Sequence, residues 1–147
     1  MITVRDILQS KGSDVYSVTP DTTVYEALQV MAEKNVGAVL VMDGDRLVGL
    51  FSERDYARKV ELKGLHCRET PVTDIMTSRI LVVRPDETTE DCMALMTDKR
   101  VRHLPAVEGD QVIGIVSIGD VVKSIISEKE FIIEQLENYI TGSAYRP

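Results

Sequence analysis

The sequence predicts an α/β (α+β) protein built from two β-α-β-β-α repeats, and three observations predict it. First, the chain repeats itself: shifted by 65 positions, residues 20–60 fall on residues 85–125 without a gap. Eleven positions are identical, among them Pro20/Pro85, Asp21/Asp86, Thr23/Thr88, Met31/Met96, Gly49/Gly114, Ser52/Ser117 and Asp55/Asp120. Second, the apolar pattern in each repeat changes from short β-rich runs to helical spacing and back. Third, Asp43-Gly44-Asp45 separates two apolar runs, a strong signal for a hairpin turn.

The elements follow in order. Each unit opens on a short lead-in: Val4-Arg5-Asp6-Ile7-Leu8 resembles Val72-Thr73-Asp74-Ile75-Met76, at an offset of 68. One unit therefore spans 1–68 and the other 69–127, with a C-terminal helical extension at 128–147. A β-rich run, 15–19 or 80–84, ends at a proline that stops strand pairing. Thr23 with Glu26, and Thr88 with Asp91, carry a capping-box signature for a helix start. Val24, Ala27, Leu28 and Met31 then recur at i, i+3, i+4 and i+7, giving that helix one buried face. Strands at 38–42 and 46–51 form the hairpin, and a second helix begins at Ser52, with its counterpart at Ser117.

Composition narrows the function. Of 147 residues, 44% are hydrophobic and 28% charged, which excludes a disordered or collagen-like chain. No apolar run approaches the ~18 residues of a membrane span. A formal charge of -7 and an aromatic content of 5% argue against a nucleic-acid binder, which needs phosphate neutralisation or a stacking platform. Neither a secretory signal nor a disulfide scaffold is visible, and the expected compartment is the cytoplasm. Cys92 aligns with Ala27 on an apolar helix face and reads as a small buried hydrophobe. His66-Cys67 lies in the polar link without further ligands at zinc spacing, so no metal is expected.

The chemistry concentrates at the end of each hairpin: Gly49-Leu50-Phe51-Ser52-Glu53-Arg54-Asp55 and Gly114-Ile115-Val116-Ser117-Ile118-Gly119-Asp120. Ser-x-x-Asp before a helix is an N-terminal cap. The same helix start also exposes free N–H groups and partial positive charge, which favour a phosphate. An Asp one turn in can accept two hydrogen bonds from a ribose diol. Gly49 and Gly114 leave room for a ligand or backbone to come close. Arg54 and Arg58 sit on the first turns of one second helix, and Arg100, Arg102 and His103 sit where a helix gives way to a strand. Arg54 and Arg102 are therefore expected to meet ligand phosphates, since guanidinium groups bind phosphate bidentately. No catalytic triad, P-loop or dinucleotide GxGxxG accompanies them, which suggests binding without turnover and no enzyme.

On these motifs, together with the lead-ins and Arg102-His103-Leu104-Pro105-Ala106-Val107, the chain resembles the cystathionine-β-synthase-type (CBS) domain in its tandem pair, the Bateman module. Ser52-Glu53-Arg54-Asp55-Tyr56-Ala57-Arg58-Lys59-Val60 is similar to short stand-alone pairs of bacteria and plant organelles. The resemblance implies two repeats packed with pseudo-two-fold symmetry around two clefts for an adenosine compound (AMP, ATP or NAD(H)). It implies Asp55 and Asp120 on the ribose, with Ser52 and Ser117 beside the phosphate. It further implies a regulatory module acting on a separate, unidentified partner protein, a thioredoxin-like protein among the possibilities. Where the second repeat has Arg102-His103-Leu104-Pro105 the first has Gly37-Ala38-Val39-Leu40, so the clefts are not expected to be equivalent. In the tail, Ile125, Ile126, Ile132, Ile133, Leu136, Tyr139 and Ile140 keep helical spacing up to a stop at Gly142. This stripe either packs on its own domain or seals a homodimer, as CBS helices commonly do. A structural adaptor that binds no ligand is the other open reading.

Overall fold

The computed structural model describes residues 1–142. In chain order the elements are α1 (Val4–Lys11), β1 (Ser17–Val18), α2 (Val24–Lys34), β2 (Ala38–Asp43), β3 (Arg46–Ser52), α3 (Glu53–Asp55, continued as a π-helix over Tyr56–Glu61), α4 (Thr89–Lys99), β4 (His103–Glu108), β5 (Gln111–Ser117) and α5 (Ile118–Thr141). A 3-10 turn at Val72–Asp74 precedes α4. The fold is α+β, as the sequence predicts.

Each hairpin forms where the glycine allows it. Gly44 and Gly109 both take φ of 62°, a left-handed turn conformation that a Cβ would strain. β2 pairs antiparallel with β3, and β4 with β5, with a register shift at Val41/Met42 repeated at Ala106/Val107. The register sets Ala38 opposite Ser52 and His103 opposite Ser117, so each motif serine leaves its sheet beside the start of the partner strand.

The first strand differs between the repeats. β1 runs parallel to β2 over two residues, and Leu40 N–H donates to the Tyr16 carbonyl at 3.1 Å. Residues 80–84, expected as its counterpart, make a single parallel bridge, Val83 with Ala106. The position equivalent to Leu40 is Pro105, which has no N–H to donate, so the ladder cannot extend. The Pro105 carbonyl still accepts from Val83 at 2.9 Å.

The two hydrophobic cores exchange their lead-ins. Val72 and Ile75 are buried with Val18, Val24, Ala27, Met31, Val39, Val41, Phe51 and Val60 of the first repeat. Val4, Ile7 and Leu8 are buried with Val83, Cys92, Met96, Leu104, Ala106, Val116 and Val121 of the second. The hydrogen bonds are reciprocal: Val72 N–H donates to Thr22 O at 2.7 Å, and Val4 N–H to Glu87 O at 2.8 Å. The sequence units 1–68 and 69–127 therefore differ from the packing units, because each lead-in completes the core of the other repeat. This exchange also explains Gly49 and Gly114. A Cβ at Gly114 would lie 2.5 Å from Cδ2 of Leu8, and one at Gly49 would overlap the Met76 sulfur. The close approach the sequence suggested, by a ligand or backbone, is made instead by a side chain of an exchanged lead-in.

The helices after the motifs also diverge. α3 makes one α-turn and then widens to π spacing, with Leu62 N–H donating to Ala57 O at 3.1 Å. That spacing keeps Val60 fully buried while Lys59 reaches back to the Ile75 carbonyl at 3.2 Å. α5 is one unbroken helix of 24 residues that ends at Gly142 with φ of 73°, so the second helix of repeat two and the extension expected at 128–147 are continuous over the described residues. No helix among the described residues is long and apolar enough to cross a membrane.

Candidate functional site

Both Ser-x-x-Asp motifs are complete capping boxes. Ser52 Oγ accepts from Asp55 N–H at 3.3 Å, while Asp55 Oδ2 accepts from Ser52 N–H at 3.0 Å. Ser117 and Asp120 repeat the arrangement at 3.1 and 2.9 Å. A short polar side chain at the cap and a carboxylate three residues on satisfy reciprocal N–H groups, and the β-region backbone of Ser52 and Ser117 suits them to the role. The caps do not bury the motifs out of reach, because each also lines a cleft.

The first cleft, of about 400 Å3, brings Ser52, Arg54 and Asp55 of the first repeat against Arg100, Arg102 and His103 of the second. Gly37, Glu53, Thr77, Arg79, Ile80 and Leu81 are among the other residues of its wall. The second, of about 490 Å3, is lined by Ser117 and Asp120 together with Lys11, Asp14, Tyr16, Lys34 and Asn35. The seven candidate residues thus divide between two cavities. His103 and Gly37 line both, and a Cβ on Gly37 would lie 3.5 Å from the imidazole Nε2.

Three of these wall residues, Arg79, Thr77 and Lys11, lie outside the motifs that sequence reasoning singled out. The signal was present: carrying the lead-in alignment three residues past Met76 sets Arg79 over Lys11. The exchange of lead-ins is what carries both residues into clefts. Arg58, grouped with Arg54 in the sequence, is exposed and lines neither cavity.

The two aspartates are already engaged. Asp55 Oδ1 pairs with Lys59 Nζ at 2.9 Å and accepts from Thr77 Oγ1 at 3.2 Å. Asp120 Oδ2 pairs with Lys11 Nζ at 2.6 Å. Burial works against the charged form of Asp120, but the Lys11 bond and the Ser117 N–H outweigh it and lower its pKa below the ordinary 3.8. For His103, burial is the main effect and lowers the pKa below 6.5, with Lys11 and Arg102 adding to it and Asp120 opposing. Burial thus favours the neutral form of the imidazole between the clefts. Arg54 spans the repeats, donating from Nη1 to the Arg100 carbonyl at 2.7 Å, so it braces the first cleft as well as lining it.

Other groups behave as packing. Cys92 is fully buried and desolvation pushes its thiol up to about 11, the behaviour of a small hydrophobe rather than a nucleophile. Among the described residues no group of three or more His, Cys, Asp or Glu side chains is placed to hold a metal ion.

Two repeats that exchange lead-ins and line a pair of clefts, each at a capped helix start, define a tandem-repeat module. The chain belongs to the CBS domain family, whose family model matches residues 4–62 and 72–127. CBS-only proteins are, as a class, regulatory modules that bind adenosine-containing ligands. The chain is similar to the mitochondrial CBS domain-containing protein CBSX3 of Arabidopsis thaliana, at 38% identity over 95% of this chain and 72% of that protein. It is 31% identical to the CBS domain-containing protein YhcV of Bacillus subtilis, over 98% of this chain and 93% of that one. A solved putative signal-transduction protein with CBS domains from Burkholderia ambifaria superposes with a TM-score of 0.83, at 49% identity over 85% of this chain and 94% of that chain.

Proposed function

We propose that this protein is a non-catalytic sensor of an adenine nucleotide (AMP, ATP or NAD(H)) that regulates a separate partner protein. The observation that carries this reading is the double placement of an acid and a helix start in one cleft wall, Asp55 with Ser52 and Asp120 with Ser117. The carboxylate accepts the ribose hydroxyls while the helix start and nearby arginines take the phosphate. A guanidinium–phosphate bond contributes roughly 1.5–3 kcal/mol where it is partly desolvated. Arg102 and Arg54 supply such donors in the first cleft, and His103 supplies a neutral ring to either.

The mechanism is a population shift. Ribose binding at Asp120 competes with Lys11, and at Asp55 with Lys59 and Thr77, so ligand loosens contacts that fix the lead-ins. A ligand that binds two arrangements of the repeats unequally shifts them, with about 1.4 kcal/mol of difference giving tenfold. Thermal denaturation with each nucleotide tests the reading. A ligand at a hundred times its Kd raises stability by about 2.7 kcal/mol; a melting curve indifferent to every adenosine compound contradicts it.

A homodimer through α5 is part of the proposal. Ile125 packs on the second core, but Phe131, Leu136, Tyr139 and Ile140 are 57–81% exposed in the single chain. An apolar stripe of this length along one helix favours a second copy over solvent.

A further inference from the structure

We propose that the two clefts divide their ligands by charge: the cleft at Asp55 takes an adenosine di- or triphosphate through Arg79, Arg100 and Arg102, while the cleft at Asp120 takes adenosine compounds with little or no phosphate charge. This rests on the adenosine reading above and goes beyond it by assigning a ligand class to each cavity.

The first observation is the state of the cations. In the first cleft the side chains of Arg79, Arg100 and Arg102 make no ion pair, hydrogen bond or ring contact among the described residues. Three uncommitted guanidinium groups on one cavity are unexpected in a chain with 24 acidic residues against 17 basic ones. The carboxylates lining that cavity are Glu53 and Asp55, and Asp55 has its own cation in Lys59 at 2.9 Å. A surplus of positive charge is left facing the space, which a polyanion neutralises.

The second cleft has no such surplus. Lys11 is held by Asp120 at 2.6 Å, and Lys34 lies over the Tyr16 ring, 5.4 Å from its centroid. Asp14 adds a further negative charge to the wall. A triphosphate entering here would meet two carboxylates answered by two committed lysines. An uncharged or singly phosphorylated adenosine compound meets less repulsion.

The repeat alignment shows where the asymmetry arose. Arg79, Arg100 and Arg102 correspond to Lys11, Asn35 and Gly37. Two of three cations are therefore missing from the second cleft, and the third is pinned. The cap geometry, by contrast, is the same at both sites to within a few tenths of an ångström. Discrimination thus belongs to the wall facing the cap, not to the cap itself. Because these arginines are exposed, their attraction is screened within about 8–10 Å at ordinary salt, so it must depend on ionic strength.

Calorimetric titration of the full chain with adenosine, AMP, ADP and ATP in EDTA, at low and high salt, tests this. The expected result is one tight ATP site per chain, about tenfold stronger than for AMP and weakened by salt, with inorganic tripolyphosphate competing. Arg79→Gln and Arg102→Gln each reduce ATP affinity about fivefold or more and leave adenosine affinity within about twofold. Arg46→Gln on the first hairpin changes neither. Equal affinity across the four ligands, two equivalent ATP sites, or arginine variants that weaken adenosine and ATP alike overturns the charge division while leaving the adenosine reading intact. Absence of binding by all four overturns both.

Discussion

At Asp120 three demands meet on one carboxylate: it caps α5, holds Lys11, and lines a cavity. Its folded-state pKa is lowered, so it adds stability above the ordinary 3.8 and loses it as pH falls through the folded value. His103 behaves in a higher window. Burial lowers its pKa, so the unfolded chain binds more protons just below 6.5, and the stability owed to the neutral ring is full above that value and lost as pH falls. We therefore expect thermal stability to decline from pH 7 to pH 5 and the decline to flatten in His103→Gln. A variant with the same slope as the parent between those values would contradict the assignment. The capping pairs were legible residue by residue, since Thr88 with Asp91 and Ser117 with Asp120 act within one helical turn. For Arg79 and Lys11 the repeat alignment shows only that they correspond; that both face clefts follows from the exchange of lead-ins, which is tertiary packing.

The elements show the same division between local and distant causes. Both hairpins and the amphipathic helices α2 and α4 follow from spacing and turn residues, and they stand where the sequence places them. The strand expected at 80–84 reduces to one bridge because its partner carries Pro105, a consequence that appears only once register is known. The lead-in exchange was invisible for a related reason. Val4-Ile7-Leu8 and Val72-Ile75-Met76 have the same apolar spacing, so the spacing does not tell which core each joins. The close approach of α1 to β5 gives a direct check. Gly114→Ala forces its methyl against Leu8 and should destabilise by about 1–3 kcal/mol, and Leu8→Ala in the same chain should recover part of that loss. Additive losses in the double variant, measured by denaturant unfolding, would place the strain elsewhere. For α5, Leu136→Glu should convert a concentration-dependent dimer to monomer in sedimentation without lowering the monomer's melting temperature, because Leu136 is 57% exposed in the single chain. A wild-type chain that sediments as a monomer at every concentration would remove the dimer.

Taken as a whole molecule, the exchange makes the repeats interdependent. A fragment of residues 1–68 keeps Val24, Met31 and Phe51 but loses Val72 and Ile75, and it carries Val4, Ile7 and Leu8 without their core. We expect it to remain unfolded by circular dichroism, while the intact chain unfolds in one cooperative transition. A fragment with native-like, cooperative melting would show that each repeat stands alone. The same interdependence gives the proposed sensing its means, since each cleft takes walls from both repeats and residues that follow an exchanged lead-in. Under the proposed function, binding in either cleft biases how the two units sit together, which is the quantity a partner protein would sense. The most direct test of that account is calorimetric titration of AMP and ATP into the parent chain and into Asp55→Asn/Asp120→Asn, with folding of both checked by thermal melting. The account predicts saturable binding by the parent and a loss of about tenfold or more in the double variant. Equal affinity in the two proteins, or no heat in either, would contradict it.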